Sequence, residues 1–123
     1  MVLVSERDFK DGSDITQCVE CGPLLHYKGV ANPMMGKEMR ANRTFIGTDG
    51  GRRWCLGVIE AVELKQLAAI LKTPGILDEC PIQTALNLDG GPSTSLAWHD
   101  PKGEVKVVPQ APIVRNYLQV VPR

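Results

Sequence analysis

Between Thr84 and Ser95 the chain reads Thr-Ala-Leu-Asn-Leu-Asp-Gly-Gly-Pro-Ser-Thr-Ser, which sets a carboxylate, an amide, hydroxyls and paired glycines close together. Leu86 and Leu88 alternate with Asn87 and Asp89, the period of a strand with one buried face. The leucines are therefore expected inside, with Asn87 and Asp89 on one side, emerging together at the strand's end. Gly90 and Gly91 let the backbone turn tightly and approach a ligand without a Cβ in the way. Ser93, Thr94 and nearby N–H groups can donate to an anion. A carboxylate beside an anion cradle suits the cleavage of a phosphorylated sugar. The same residues also describe a strand ending in a glycine turn, with Asp89 capping the backbone.

Hydrolysis at an anomeric carbon normally uses two carboxyl groups, one protonating the leaving oxygen and one serving as base or nucleophile. A departing phosphate monoester is far less basic than an alkoxide, so hydrogen bonds and a cation can replace a strong general acid. One carboxylate, Asp89, then suffices. Arg43 is the natural cation, because a guanidinium grips phosphate oxygens as a bidentate fork; the competing reading is a solvated arginine beside a strand. Thr44 can donate to the same anion, or simply serve as a β-branched strand residue. Asn87 can hold a sugar hydroxyl, orient Asp89 or make an internal structural bond. No His is placed to activate Ser93 as a nucleophile, and His26 and His99 read as solvated.

Four stretches, in order, resemble the phosphodiester glycosidase family. The segment Thr84 to Ser95 resembles its Ala-Leu-Asn-Leu-Asp-Gly-Gly signature. Cys21-Gly22-Pro23-Leu24-Leu25 with Lys28-Gly29 is similar to its small-Gly-Pro-Leu-Leu strand and turn, and Arg43 to Asp49 to its Arg-Thr-Ala-Ile-Gly segment. Val114 to Pro122 is similar to its closing strand, which brings Arg115 in as a substrate-binding candidate. The resemblance implies hydrolysis of a sugar-phosphate diester, with Asp89 and Arg43 catalytic. It implies substrate binding by Asn87, Gly90, Gly91, Ser93, Thr94, Thr44 and Arg115. Pro92 stands at the third glycine, removing one N–H from the cradle. Glu20, where many relatives carry Gln, offers a second carboxylate. The Asn-Gly-Gly-Phe-Phe segment near the start of family domains is missing, so the chain resembles the C-terminal part of that domain.

The elements that must position these residues are strands around one helix. Residues 1–16 are polar and read as a mobile arm, with the family-like domain over 17–123. Cys18 to Tyr27 is a candidate strand, and Gly29 to Asn42 a loop. Arg43 to Thr48 and Arg53 to Ile59 flank Asp49-Gly50-Gly51, a hairpin signal. Leu64, Leu67, Ala68 and Leu71 fall at helical spacing within Glu60 to Lys72, which Pro74-Gly75 stops. Val105 to Val108 and Tyr117 to Val121 are further strands, with Asp100 to Gly103 a turn. The expected fold is α+β, a twisted mixed or antiparallel sheet with the helix packed on one face.

Composition narrows the partners. The chain has 123 residues, 43% of them hydrophobic, and 14 Lys+Arg balance 14 Asp+Glu, so it has a core to bury and lacks the basic excess of a nucleic-acid binder. No apolar run has membrane-spanning length and no secretory leader opens the chain, so it is expected to stay where it is made, although the family resemblance is compatible with export. Cys18, Cys21, Cys55 and Cys80 include one Cys-x-x-Cys without a second pair or a His at ligand spacing, so structural thiols are expected rather than zinc. No metal or other cofactor is expected. Mg²⁺ or Ca²⁺ would suit a carboxylate beside phosphate, but no second acidic ligand stands at recognisable spacing. An uncovered sheet edge predicts a homo-oligomer. Rival readings are a non-catalytic carbohydrate- or glycopolymer-binding domain and a module organised by its cysteines.

Overall fold

The computed structural model describes residues 1–33, 39–108, 114 and 117–121. Among them the α+β expectation holds, and every strand pairing is antiparallel. Strands β1 (Leu24–Tyr27), β2 (Val30–Ala31), β3 (Ala41–Thr48), β4 (Trp54–Val62) and β5 (Thr84–Gly90) form one sheet in the order β2-β1-β5-β3-β4. Strands β6 (Leu96–His99) and β7 (Val105–Val108) form a separate ribbon joined by the expected turn. Among the described residues, no helix is long and apolar enough to cross a membrane.

The β3–β4 hairpin forms where its turn residues require it. Asp49 Oδ1 accepts from Gly51 N at 2.7 Å and Arg53 N at 3.2 Å, while Gly50 takes φ +79°. This side-chain mimic of a turn fixes the pairing that begins with Thr48 opposite Trp54. Strand β4 runs three residues beyond the expected Ile59, because Val62 is still paired with Ala41 and is buried in the core.

The same pairing shortens the helix. α1 covers Leu64–Ile70, not Glu60 to Lys72, and Glu63 is its N-cap. Gln66 Oε1 accepts from the Glu63 N–H at 3.2 Å, satisfying a donor at the helix start. Leu64, Leu67, Ala68 and Leu71 pack with Leu25, Phe45, Ile82 and Ala85 as one core beneath the sheet, so the helical spacing identified the packing face correctly.

Other expectations are corrected. Residues Cys18 to Cys21 are exposed and irregular, and β1 begins only at Leu24, after a cis Gly22–Pro23 bond. The supposed loop from Gly29 contains β2. Tyr117 to Val121 form no strand with the described residues; Tyr117, Leu118, Val120 and Val121 are all exposed. His26 is buried, with Nε2 2.7 Å from the Ala68 carbonyl oxygen, so it ties β1 to α1 and is not solvated. A register shift in β1, from Leu24 opposite Leu86 to His26 opposite Ala85, lets both Leu25 and His26 reach the core. His99 is exposed as expected.

Candidate functional site

Strand β5 lies at the centre of the sheet, between β1 and β3; β1 pairs with it as far as Leu86, whereas β3 follows it to Gly90. The burial of its faces reverses the expectation from alternation. Ala85 and Asn87 lie inside, whereas Leu86 and Leu88 are half-buried. Asn87 earns its place through hydrogen bonds, since Nδ2 donates to the Gly22 carbonyl at 3.0 Å and to the Leu88 carbonyl at 2.7 Å. Its backbone N–H also donates to Pro23 O at 3.0 Å. The amide thereby fastens the segment before β1 to β5, which is the internal structural role weighed against sugar binding.

A bulge separates Asn87 from Asp89. Phe45 faces Asn87 and Arg43 faces Gly90, so the three-residue advance on β5 matches two residues on β3. Alternation breaks at such a step, and the bulged strand re-aims its side chains. Asn87 consequently stays buried while Asp89 is exposed, its Oδ1 accepting from Gly90 N at 2.8 Å. The two do not emerge together.

The glycines after Asp89 have different jobs. A Cβ on Gly90 would lie 2.9 Å from Asn42 O, so this glycine lets β5 press against β3. Gly91 takes φ +61° with nothing within 4 Å of a Cβ position, leaving its approach open. Gly91–Ser93 then form a short 3₁₀ turn closed by Thr94 N on Gly91 O at 3.2 Å. Ser93 is half-buried in this turn. Thr94 is 4% exposed, and its Oγ1, like Asn87 Oδ1, has no hydrogen-bond partner among the described residues. Each such oxygen costs about 1–3 kcal/mol when left buried and unmatched.

Arg43 is brought beside the motif by its backbone, but its head turns elsewhere. Nε donates to Val62 O at 3.3 Å and Nη2 to Met39 O at 3.0 Å. Thr44, the next residue of β3, projects to the opposite face and pairs with Val58. Arg43 and Thr44 therefore do not converge through their side chains. Arg115 lies outside the described residues.

Cys21 is a neighbour that residue type alone did not reveal. Burial, then the Asp89 carboxylate and then Glu20, push its thiol up from the ordinary value. Asp89 and Glu20 thus act on one locality, and the pairing of β1 with β5 was the signal available for it. No trio of His, Cys, Asp or Glu able to hold a metal occurs among the described residues. An open groove of about 440 Å³ beside Arg40, Ile59, Val62 and Ile70 does not include Asp89.

The structure delivers Asp89-Gly90-Gly91 at the end of the central strand of an antiparallel sheet. The family comparison agrees: residues 1–120 match the phosphodiester glycosidase family, and the chain belongs to it. The match takes in the first three resembling stretches whole and the fourth as far as Val120. No curated protein and no solved structure matched the chain in the corresponding searches.

Proposed function

We propose that this chain hydrolyses a sugar-phosphate diester at its glycosidic bond. The observation carrying this reading is the exposed Asp89 carboxylate at the bulged end of β5, beside the open left-handed turn at Gly91, in a member of the phosphodiester glycosidase family. Water supplies the oxygen that bonds to the anomeric carbon. The bond from that carbon to the phosphate oxygen breaks, and a free sugar and a phosphate monoester leave.

Asp89 performs acid/base or electrostatic work at the anomeric centre, which is feasible with one carboxylate because the leaving phosphate is weakly basic. The backbone at Gly90 and Gly91 and the hydroxyls of Ser93 and Thr94 frame the phosphate, and Asn87 acts on the sugar side indirectly, by fastening the segment before β1 to β5. Arg43 supplies positive charge at the flank of Gly90, with Arg115 as a further substrate contact, while Thr44 on the opposite face keeps its part in the β3–β4 pairing. The reading calls for no cofactor, so turnover should withstand a chelator. A homo-oligomer formed through an uncovered sheet edge belongs to the same proposal.

The engagement of Arg43 by the Val62 and Met39 carbonyls favours the second reading, a carbohydrate- or glycopolymer-binding domain without turnover. Incubation with a sugar-1-phosphodiester and with an uncharged aryl glycoside separates the two. Release of sugar from the phosphodiester alone supports hydrolysis at a phosphate-adapted site. Binding without release supports the second reading, and equal turnover of both compounds removes the phosphate frame.

A further inference from the structure

Two of the four cysteines meet in the core, at a distance along the sheet from Asp89. Cys55 lies on β4 opposite Gly47, and Cys80 lies in the loop between α1 and β5. Both thiols are unbridged; Cys80 is buried in the core, Cys55 is half-buried and packed against that same cluster, and Cys80 is the thiol that acts on Cys55. The missing side chain of Gly47 makes the slot they occupy. A Cβ there would stand 3.1 Å from Cys55 Sγ and 2.7 Å from Ile82 Cδ1, so Cys55 and the residue two places after Cys80 share one space. Arg53 Nη1 donates to Glu79 O at 2.8 Å, pinning the start of β4 to the residue before Cys80. Leu77 O accepts from Cys80 N at 2.9 Å and fixes the loop on its other side.

We propose that Cys55 and Cys80 are a redox modification site, closing a reversible disulfide that staples β4 to the loop entering β5. A thiolate of the pair attacks one sulfur of a low-molecular-weight disulfide and expels one thiolate, giving a mixed disulfide. The second protein thiolate attacks the protein sulfur of that bond and expels the other small thiolate. The protein loses two electrons and two protons, and the small disulfide becomes two thiols. The bond encloses α1 in a covalent ring, restricting the unfolded chain. Burial, reinforced by Cys80, pushes Cys55 up to about 11, which makes the exchange slow at neutral pH and faster in alkali.

The test uses the full chain carrying Cys18→Ser and Cys21→Ser, which removes the two exposed thiols. Incubation with oxidised glutathione at about pH 9, where more thiolate is present than at neutral pH, should give a product without glutathione adducts. Peptide mapping should recover a Cys55–Cys80 link, and Tm should rise by on the order of 10 °C. Dithiothreitol should reverse both. Two thiols that remain alkylatable after unfolding, or stable glutathione adducts in place of the link, would overturn the proposal. Mapping on the protein with Cys55 and Cys80 intact keeps the result independent of whether a Cys55→Ser variant folds.

Discussion

Asp89 and Asn87 stand two residues apart and predict opposite phenotypes. Asp89→Asn preserves shape at an exposed position, so activity should be abolished while stability changes by less than about 0.5 kcal/mol. Unchanged turnover would remove Asp89 from the mechanism; a loss of about 0.5–2 kcal/mol on thermal unfolding would mark it as a turn cap. The same variant removes a negative charge that raises the Cys21 thiol. Cys21 should therefore ionise at lower pH, and its alkylation by iodoacetamide near pH 8 should quicken by about two- to fivefold. Asn87→Ala should instead unfold more easily by about 2 kcal/mol, because the buried amide's hydrogen bonds to the Gly22 and Leu88 carbonyls are lost. Residue types identified Asp89 as the exposed carboxylate, but alternation assigned the wrong face to Asn87. Apolar side chains normally claim the interior, and here an amide bonded to Gly22 and Leu88 outcompeted Leu86 and Leu88 for it. Neither the bulge nor the turning of Arg43 toward Val62 and Met39 has a local sequence signal; both arise from pairing between distant strands.

Elements with their own punctuation were legible. Asp49-Gly50-Gly51 marked the hairpin, and the apolar spacing in α1 marked its buried face. The start of α1 was not, because Glu60-Ala61-Val62 is a good helical sequence taken by β4 through the pairing of Val62 with Ala41. Tertiary pairing overrode propensity there. Tyr117 to Val121 shows the converse, a strand-like composition that pairs with nothing in the described residues. Leu67, fully buried between helix and sheet, should cost about 2–5 kcal/mol when changed to Ala, read by urea unfolding. Gln66→Ala, which removes only the acceptor for the Glu63 N–H, should cost about 0.5–1 kcal/mol. Equal losses at both positions would show that α1 is held by its cap more than by its packing.

Across the whole molecule, strand order decides which surfaces stay uncommitted. β4 is nine residues long and lies at the sheet's edge, with β3 as its described sheet neighbour. Open edges recruit further strands, so sedimentation at micromolar concentration is expected to find a dimer or larger species. A monomer would show that the β4 edge is protected. At the opposite side, Asp8 accepts from Tyr27 Oη at 2.5 Å and from Lys28 Nζ at 3.0 Å, tying the first residues to the end of β1. The Tyr27 hydrogen bond, then Lys28, lower the Asp8 carboxyl below its ordinary 3.8. This tie is complete above that value and lost as pH falls through the lower folded value, so proteolysis of the first residues should quicken there. The position of β5 has a consequence for biosynthesis. The ribosome releases the β1–β2 and β3–β4 pairs first, leaving a slot between β1 and β3 that only β5 fills. A nascent chain halted before Thr84 therefore carries two unjoined hairpins with open inner edges, and it needs shelter from aggregation until the final central strand arrives.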